Sequence, residues 1–244
     1  MDVSIVVTTY NYAHFIDECL NSCLDQQGTD LKYEVIVVDD GSIDNTPYLL
    51  SDRSDPRLRV SRIENSGVER ASNHGFALAQ GRFIVRVDAD DVLASNYLAS
   101  LSSFLNKDFG FLYSDYNVID SASVVQEAVR LPEFDAAEVM TRGDFLATGT
   151  LYQTELLRSF GGYSTDIRNS GLENYELIIK LIAGGIKGFH VAEPLFHYRR
   201  HQINMSATRT KSIVAYGRYL FERNCLGTFQ TNQYHPYKLV LVSQ

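Results

Sequence analysis

Three polar clusters, each following directly on an apolar, β-branched run, carry the residue types a site would need: Thr8-Thr9-Tyr10-Asn11, Asp39-Asp40-Gly41-Ser42 and Asp88-Ala89-Asp90-Asp91. In open α/β sheets, ligands bind beyond the carboxyl ends of the strands, so polar groups at such junctions are the first to face a ligand. Asp39-Asp40-Gly41-Ser42 has two readings: a turn leading into a helix cap, or a carboxylate that accepts hydrogen bonds from a nucleobase or ribose. The third cluster is more specific. Three carboxylates within four residues repel one another unless a cation or protons intervene. Magnesium and manganese take oxygen ligands, and magnesium commonly uses one or two carboxylates while phosphates and water complete its shell. A diphosphate ligand fits that chemistry, and a solvated acidic turn is the bland alternative.

The elements that must position these clusters are legible in outline. Val3–Thr8, Tyr33–Val38, Leu58–Ile63 and Arg82–Val87 read as strands, and the second and fourth have the near-continuous apolar character of buried parallel strands. Phe15, Ile16, Cys19, Leu20, Cys23 and Leu24 recur on one face of a 3.6-residue period, which predicts a helix packed on the sheet. A second helix is expected near Asp44, with Pro47 in its first turn. A third covers Arg70–Gln80 and is expected to end on Gly81 as a left-handed cap. After about residue 115 the rhythm breaks into short strands and turns, and then resumes with helices near Thr154–Phe160, Glu173–Ala183 and Thr210–Asn224. Alternation of strands and helices predicts an α/β fold with a mostly parallel central sheet and helices on both faces. A single domain over residues 1–244 is expected, with a nucleotide-binding half to about 115, then an acceptor-binding half and a C-terminal helix.

Composition excludes several classes. The 244 residues are 45% hydrophobic and 21% charged, ordinary for a globular chain with a real core. A net charge of −8 argues against nucleic acid as partner, since phosphate-backbone binding leaves a basic surface. No apolar run approaches the roughly 20 residues of a spanning helix and no signal peptide is visible, so a cytoplasmic location is expected. Cys19, Cys23 and Cys225 support neither a zinc site nor a disulfide framework, and the first pair reads as core.

Taken in order, Ser4–Asn11, Val37–Ser42 with Asp44 and Thr46, Gly67-Val68 with Arg70, Gly81, Asp88–Asp91, Gly161-Gly162-Tyr163, Glu173, and Tyr198–His201 with Met205-Ser206 resemble the family 2 inverting glycosyltransferases, which have the nucleotide-diphospho-sugar transferase fold called GT-A. The resemblance covers most of residues 2–206. It implies transfer of a sugar from a nucleotide-diphosphate sugar, UDP being the common carrier, to a carbohydrate or lipid-linked acceptor hydroxyl, with inversion and with Mn2+ or Mg2+ as cofactor. It further implies that Thr8, Tyr10 and Asp40 line the base pocket, that Arg70 approaches the nucleotide, and that Asp88 lies near the ribose or metal shell. Asp90 is the first candidate for metal ligation, with Asp91 a second, and His201 is a candidate to reach the metal or diphosphate. A lipid-linked acceptor would bring the protein to the inner face of the membrane as a peripheral protein.

One position departs from the pattern. The family carries Glu-Asp where this chain has Glu173-Asn174, and the Asp is generally assigned as catalytic base; an amide cannot take that role. Glu173 is then the nearest candidate base, unless it points back to cap its own helix. A binding-only homologue that holds nucleotide sugar without turnover is the alternative reading. A nucleotidyltransferase is disfavoured because the chain has no Gly-rich N-terminal loop ending in basic residues.

Overall fold

The computed structural model describes residues 1–107, 109–146, 149–202, 204–232 and 235. The side chains of Ser206 and Ala207, and residues 236–244 of the expected acceptor half, lie outside the described residues. The elements run β1 (Val3–Thr9), α1 (Ile16–Leu24), β2 (Tyr33–Asp39), α2 (Thr46–Ser51), β3 (Leu58–Arg62), α3 (Val68–Leu78) and β4 (Phe83–Asp88). The chain continues through β5 (Val92–Leu93), α4 (Tyr97–Ser102), β6 (Phe111–Ile119), β7 (Val125–Val129), α5 (Ala136–Arg142), β8 (Leu151–Gln153) and α6 (Thr154–Ser159). It closes with α7 (Glu173–Ala183), β9 (Gly188–Arg199), α8 (Met205–Thr208) and α9 (Thr210–Arg223).

Among the described residues these strands form one sheet in the order β3-β2-β1-β4-β8-β6-β9-β5, with β7 paired to β6. β1 and β2 are buried along their whole length, as strands covered by other layers must be. The expected parallel core is present as β3-β2-β1-β4. Beyond β4 the pairing changes: β8 joins β4 and β6 antiparallel, while the long strands β6 and β9 run parallel to each other. Neither β6 nor β9 has clean alternation, since Asp115, Pro194 and two register shifts interrupt them, which is why that region reads from sequence as short strands and turns.

Register brings the polar clusters together. Thr8 pairs with Val38 on one side and Asp88 on the other, and Thr9 pairs with Asp39, so all three clusters end at one edge of the sheet. α3 packs close behind: at Gly75 a Cβ would sit 2.3 Å from Val6 Cγ1, so the helix can approach β1 only without a side chain there. Cys19 and Cys23 are fully buried in the core cluster, as expected.

The expected left-handed cap at Gly81 is not found. α3 stops at Leu78, Ala79 is extended (φ −62°, ψ 137°), and Gly81 is not among the residues with positive φ. Gly81 is instead a close approach, because a Cβ there would meet the Ser4 amide nitrogen at 2.5 Å. The Ser4 hydroxyl, held 2.7 Å from buried Glu34, accepts the Gly81 N–H at 2.8 Å.

Candidate active site

At the carboxyl ends of β1, β2 and β4 lies a cleft of about 470 Å³, within the usual range of small-molecule sites. Thr8, Tyr10, Asp40, Asp88, Asp90, Glu173 and Asn174 all line it. Tyr10 stands at its wall with 41% of its surface exposed, a ring free to meet a planar ligand.

Asp40 is buried and organises one wall of the cleft. Its carboxylate accepts hydrogen bonds from the amides of Ser66 (2.7 Å) and Gly67 (2.9 Å), the Asn65 side-chain amide (3.0 Å) and the Ser66 hydroxyl (3.1 Å). These donors sit at the N-terminus of α3, where a negative charge is favourable. Gly67 caps that helix at φ 97°, and a Cβ there would collide with Arg168 at 2.6 Å. Asp40→Ala leaves two backbone amides unpaired, so a stability loss of about 1–3 kcal/mol by urea unfolding is expected. Unchanged stability would contradict this role.

β4 supplies the most charged part of the site. Arg86 is a buried cation inside the otherwise apolar run Phe83–Val87, and its guanidinium contacts both Asp88 and Glu173, the latter at 3.0 Å. Burial pushes the Asp88 and Glu173 carboxyls up, against the downward pull of Arg86. Next to them, Asp90 faces the cleft and its Oδ2 lies 3.0 Å from His201 Nε2 and 3.3 Å from the Asn204 amide. His201 stands behind Asp90, between the rings of Tyr12 and Phe15, with its Nδ1 buried and without a hydrogen-bond partner. The Tyr12 phenol keeps its proton, because burial and the carboxylates of Asp90, Asp88 and Asp91 push its pKa far up.

Asp91, Arg70 and His201 are not among the residues that line the cleft, and His201 reaches it through Asp90. Asp91 turns into the protein, where one oxygen accepts the Arg199 amide at 2.9 Å and the other is buried without a partner. Arg199 is wholly buried and clamps the same turn, donating from Nε to the Asp90 carbonyl at 2.7 Å and from Nη2 to Glu18 at 2.6 Å. Arg70 lies on the exposed face of α3 because its neighbour Glu69 takes the inward position, accepting the amides of Asn169 and Ser170. Adjacent helical residues differ by about 100° in direction, so both cannot face inward.

Of the charged residues that line the cleft, sequence reasoning missed Arg86, Asp144 and Arg209. Arg86 had a usable signal, since a cation within Phe83–Val87 must be paired if that strand is buried. Asp144 and Arg209 lie outside any motif and had none.

No group of three or more His, Cys, Asp and Glu at ligand spacing occurs among the described residues. Asp90 and His201 together offer one oxygen and one nitrogen, which fits a cation completed by diphosphate oxygens and water rather than a site built wholly by protein.

The sheet order, with its parallel core and a ligand cleft at the strand ends, defines a GT-A fold, and solved structures agree. The chain superposes on Staphylococcus aureus TarS 1-349 in complex with UDP-GlcNAc with a TM-score of 0.75 at 20% identity, covering 93% of this chain and 67% of that one. It also superposes on the mannosyltransferase PcManGT from Pyrobaculum calidifontis in complex with GDP-Man and Mn2+, with a TM-score of 0.72 at 21% identity, covering 96% and 67%. The family model for glycosyl transferase family 2 matches residues 4–150, more than half of the chain. The chain belongs to glycosyl transferase family 2. Among curated relatives, the Escherichia coli UDP-Glc:alpha-D-GlcNAc-diphosphoundecaprenol beta-1,3-glucosyltransferase WfgD is 35% identical over 129 residues, 52% of this chain and 50% of that protein. Pasteurella multocida chondroitin synthase is 30% identical over 184 residues, 73% of this chain and 18% of that protein. This chain therefore spans about half or less of the length of those relatives.

Proposed function

We propose that the protein transfers a sugar from a nucleoside-diphosphate sugar to the hydroxyl of a carbohydrate or lipid-linked acceptor, with inversion at the anomeric carbon. The observation that carries this reading is the convergence of Asp40, Asp88 and Asp90 on one cleft at the ends of adjacent parallel strands. UDP is the favoured carrier, supported by the UDP-sugar named for WfgD. Polysaccharide or glycolipid assembly is the setting, with the protein acting from the cytoplasmic side at the membrane surface. Among the described residues no helix is long and apolar enough to cross a membrane.

Thr8, Tyr10 and the Asp40-held turn surround the base, and Asp88 meets the ribose. Asp90 and His201 would hold the divalent cation, which supplies charge to stabilise a departing diphosphate. Arg209, whose guanidinium is fixed 2.8 Å from the Asn169 carbonyl, adds positive charge to the same cleft. Residues 1–115 form the nucleotide half and the following segment the acceptor half. Attack by the acceptor hydroxyl on the far side of the sugar needs a group to take its proton, and two carboxylates that line the cleft, Glu173 and Asp144, each have a buried oxygen without a hydrogen-bond partner.

Nucleoside diphosphate binding is expected to require the cation, because carboxylates and phosphates of the same sign otherwise meet in one cleft. Calorimetric titration of UDP, GDP, CDP and dTDP with manganese, and again with chelator, checks this. Equal affinity in the two conditions would reject the cation bridge.

A further inference from the structure

The carboxylate missing at position 174 has a counterpart in the same cleft. Asp144 follows α5, lines the cleft, is 8% exposed, and its Oδ1 is buried without a hydrogen-bond partner. An unpaired buried carboxylate is costly, and such groups in native structures call for an explanation in use rather than packing. Glu173 also has one unpartnered oxygen, but its other oxygen is held by Arg86. Asp144 has no ion pair or hydrogen bond among the described residues, so nothing competes for the proton it would take.

Asn174 is fully engaged in another task. Its Oδ1 accepts hydrogen bonds from the hydroxyls of Tyr152 (2.6 Å) and Tyr163 (3.1 Å), and its amide nitrogen donates to the Leu146 carbonyl. A carboxylate at 174 would have no proton to offer that carbonyl. The amide therefore ties α7 to the segment that carries Asp144, two residues before Leu146.

We propose that Asp144 is the general base of the transfer reaction and that Asn174 is a positioning residue that holds the Asp144 segment in the cleft. This rests on the glycosyltransferase reading above. The acceptor oxygen forms its bond to the anomeric carbon as the bond from that carbon to the diphosphate oxygen breaks. The bonding pair leaves with the diphosphate, and the hydroxyl proton passes to the Asp144 carboxylate. Glu173 from α7 and Arg86 from β4 act on it, and its charge in turn raises the phenols of Tyr175 on α7, Tyr116 on β6 and Tyr152 on β8. Burial and the Glu173 charge push the Asp144 carboxyl well above the usual range, against the pull of Arg86, which suits a base working nearer neutral pH.

The test measures nucleoside diphosphate released from UDP-glucose, UDP-N-acetylglucosamine and GDP-mannose, with manganese, glucose and N-acetylglucosamine present, for wild type, Asp144→Asn and Asn174→Asp. UDP and GDP affinities are measured in parallel by calorimetry. Asp144→Asn is expected to lower turnover by roughly 10²–10⁴-fold while nucleotide affinity stays within about twofold. The acid limb of the wild-type pH profile should disappear in that variant. A group whose folded pKa is raised stabilises the fold at low pH and loses that contribution as pH rises. Asp144→Asn should therefore melt above wild type in mildly alkaline buffer, with the gain vanishing in acid. Asp144→Ser, should the first variant fold poorly, is expected to show the same turnover loss. Asn174→Asp is expected to lose turnover, because it releases the Leu146 carbonyl. Asp144→Asn turnover within about threefold of wild type would overturn the proposal, as would a wild type that binds nucleotide yet releases none from any donor. A wild type that binds no nucleotide would instead overturn the glycosyltransferase reading and this proposal with it.

Discussion

Asp90→Asn is expected to remove most of the cation-dependent part of nucleotide affinity and to lower turnover by roughly 10²–10³-fold, the scale of losing one preorganised electrostatic group. The substitution exchanges a charged oxygen for an amide of the same shape. The new side chain still offers an oxygen to His201 and Asn204, which now contact Asp90 at 3.0 and 3.3 Å, so the local fold should survive. A matched pair of calorimetric titrations, with manganese and with chelator, isolates the charge: the variant should show little difference between the two, whereas wild type should show a large one. Wild-type turnover and cation affinity in the variant would remove Asp90 from the ligand set.

The second large effect is on stability. Arg86→Met should destabilise the protein by about 3–5 kcal/mol in urea unfolding, the usual cost of leaving buried charges without their partner. Arg86 is the shared counter-ion of Asp88 and Glu173 and also pulls the Asp144 carboxyl down, so its loss leaves two buried carboxylates, Glu173 and Asp144, together with the part-exposed Asp88 and no cation between them. All three have carboxyls raised by burial. Their stabilising contribution is present in acid and lost as pH rises, so the variant should regain stability as pH falls from neutral toward the ordinary carboxylate range. Adding Glu173→Gln should recover part of the loss, because neighbours sharing one network are not additive. A loss below about 1 kcal/mol would mean that the cluster is solvated rather than buried.

Residues 1–115 were legible because the physics there is local. Fully buried parallel strands such as Tyr33–Asp39 write themselves as apolar runs, and their polar ends mark the cleft. α7 was predicted with the bounds it has, Glu173–Ala183, since its apolar face is continuous. What stayed hidden depends on long-range pairing. β6 and β9 are one parallel pair separated by most of the second half, and His190, which contacts Asp115 across it at 2.8 Å, carries no local sign of that partner. The cleft followed the same division. Asp40, Asp88 and Asp90 sit at strand ends and were found by position. Asp144 enters from the chain after α5, and Arg209 from between α8 and α9, so only the folded sheet brings them near the carboxylates. Arg70 and Asp91 were assigned by motif, but helix phase and the Arg199 clamp direct them elsewhere. At Asn174 the departure from the family's usual carboxylate was visible at once, whereas its hydrogen bonds to Tyr152, Tyr163 and Leu146 required coordinates.

The central claim is that the cleft at the ends of β1, β2 and β4 binds and uses a nucleotide sugar. Its most direct test is the release of nucleoside diphosphate from UDP-glucose, UDP-N-acetylglucosamine and GDP-mannose in manganese buffer, comparing wild type with Asp90→Asn. One donor is expected to be turned over by wild type, chelator to stop the release, and Asp90→Asn to suppress it. Release that is indifferent both to chelator and to loss of the Asp90 charge would contradict the account.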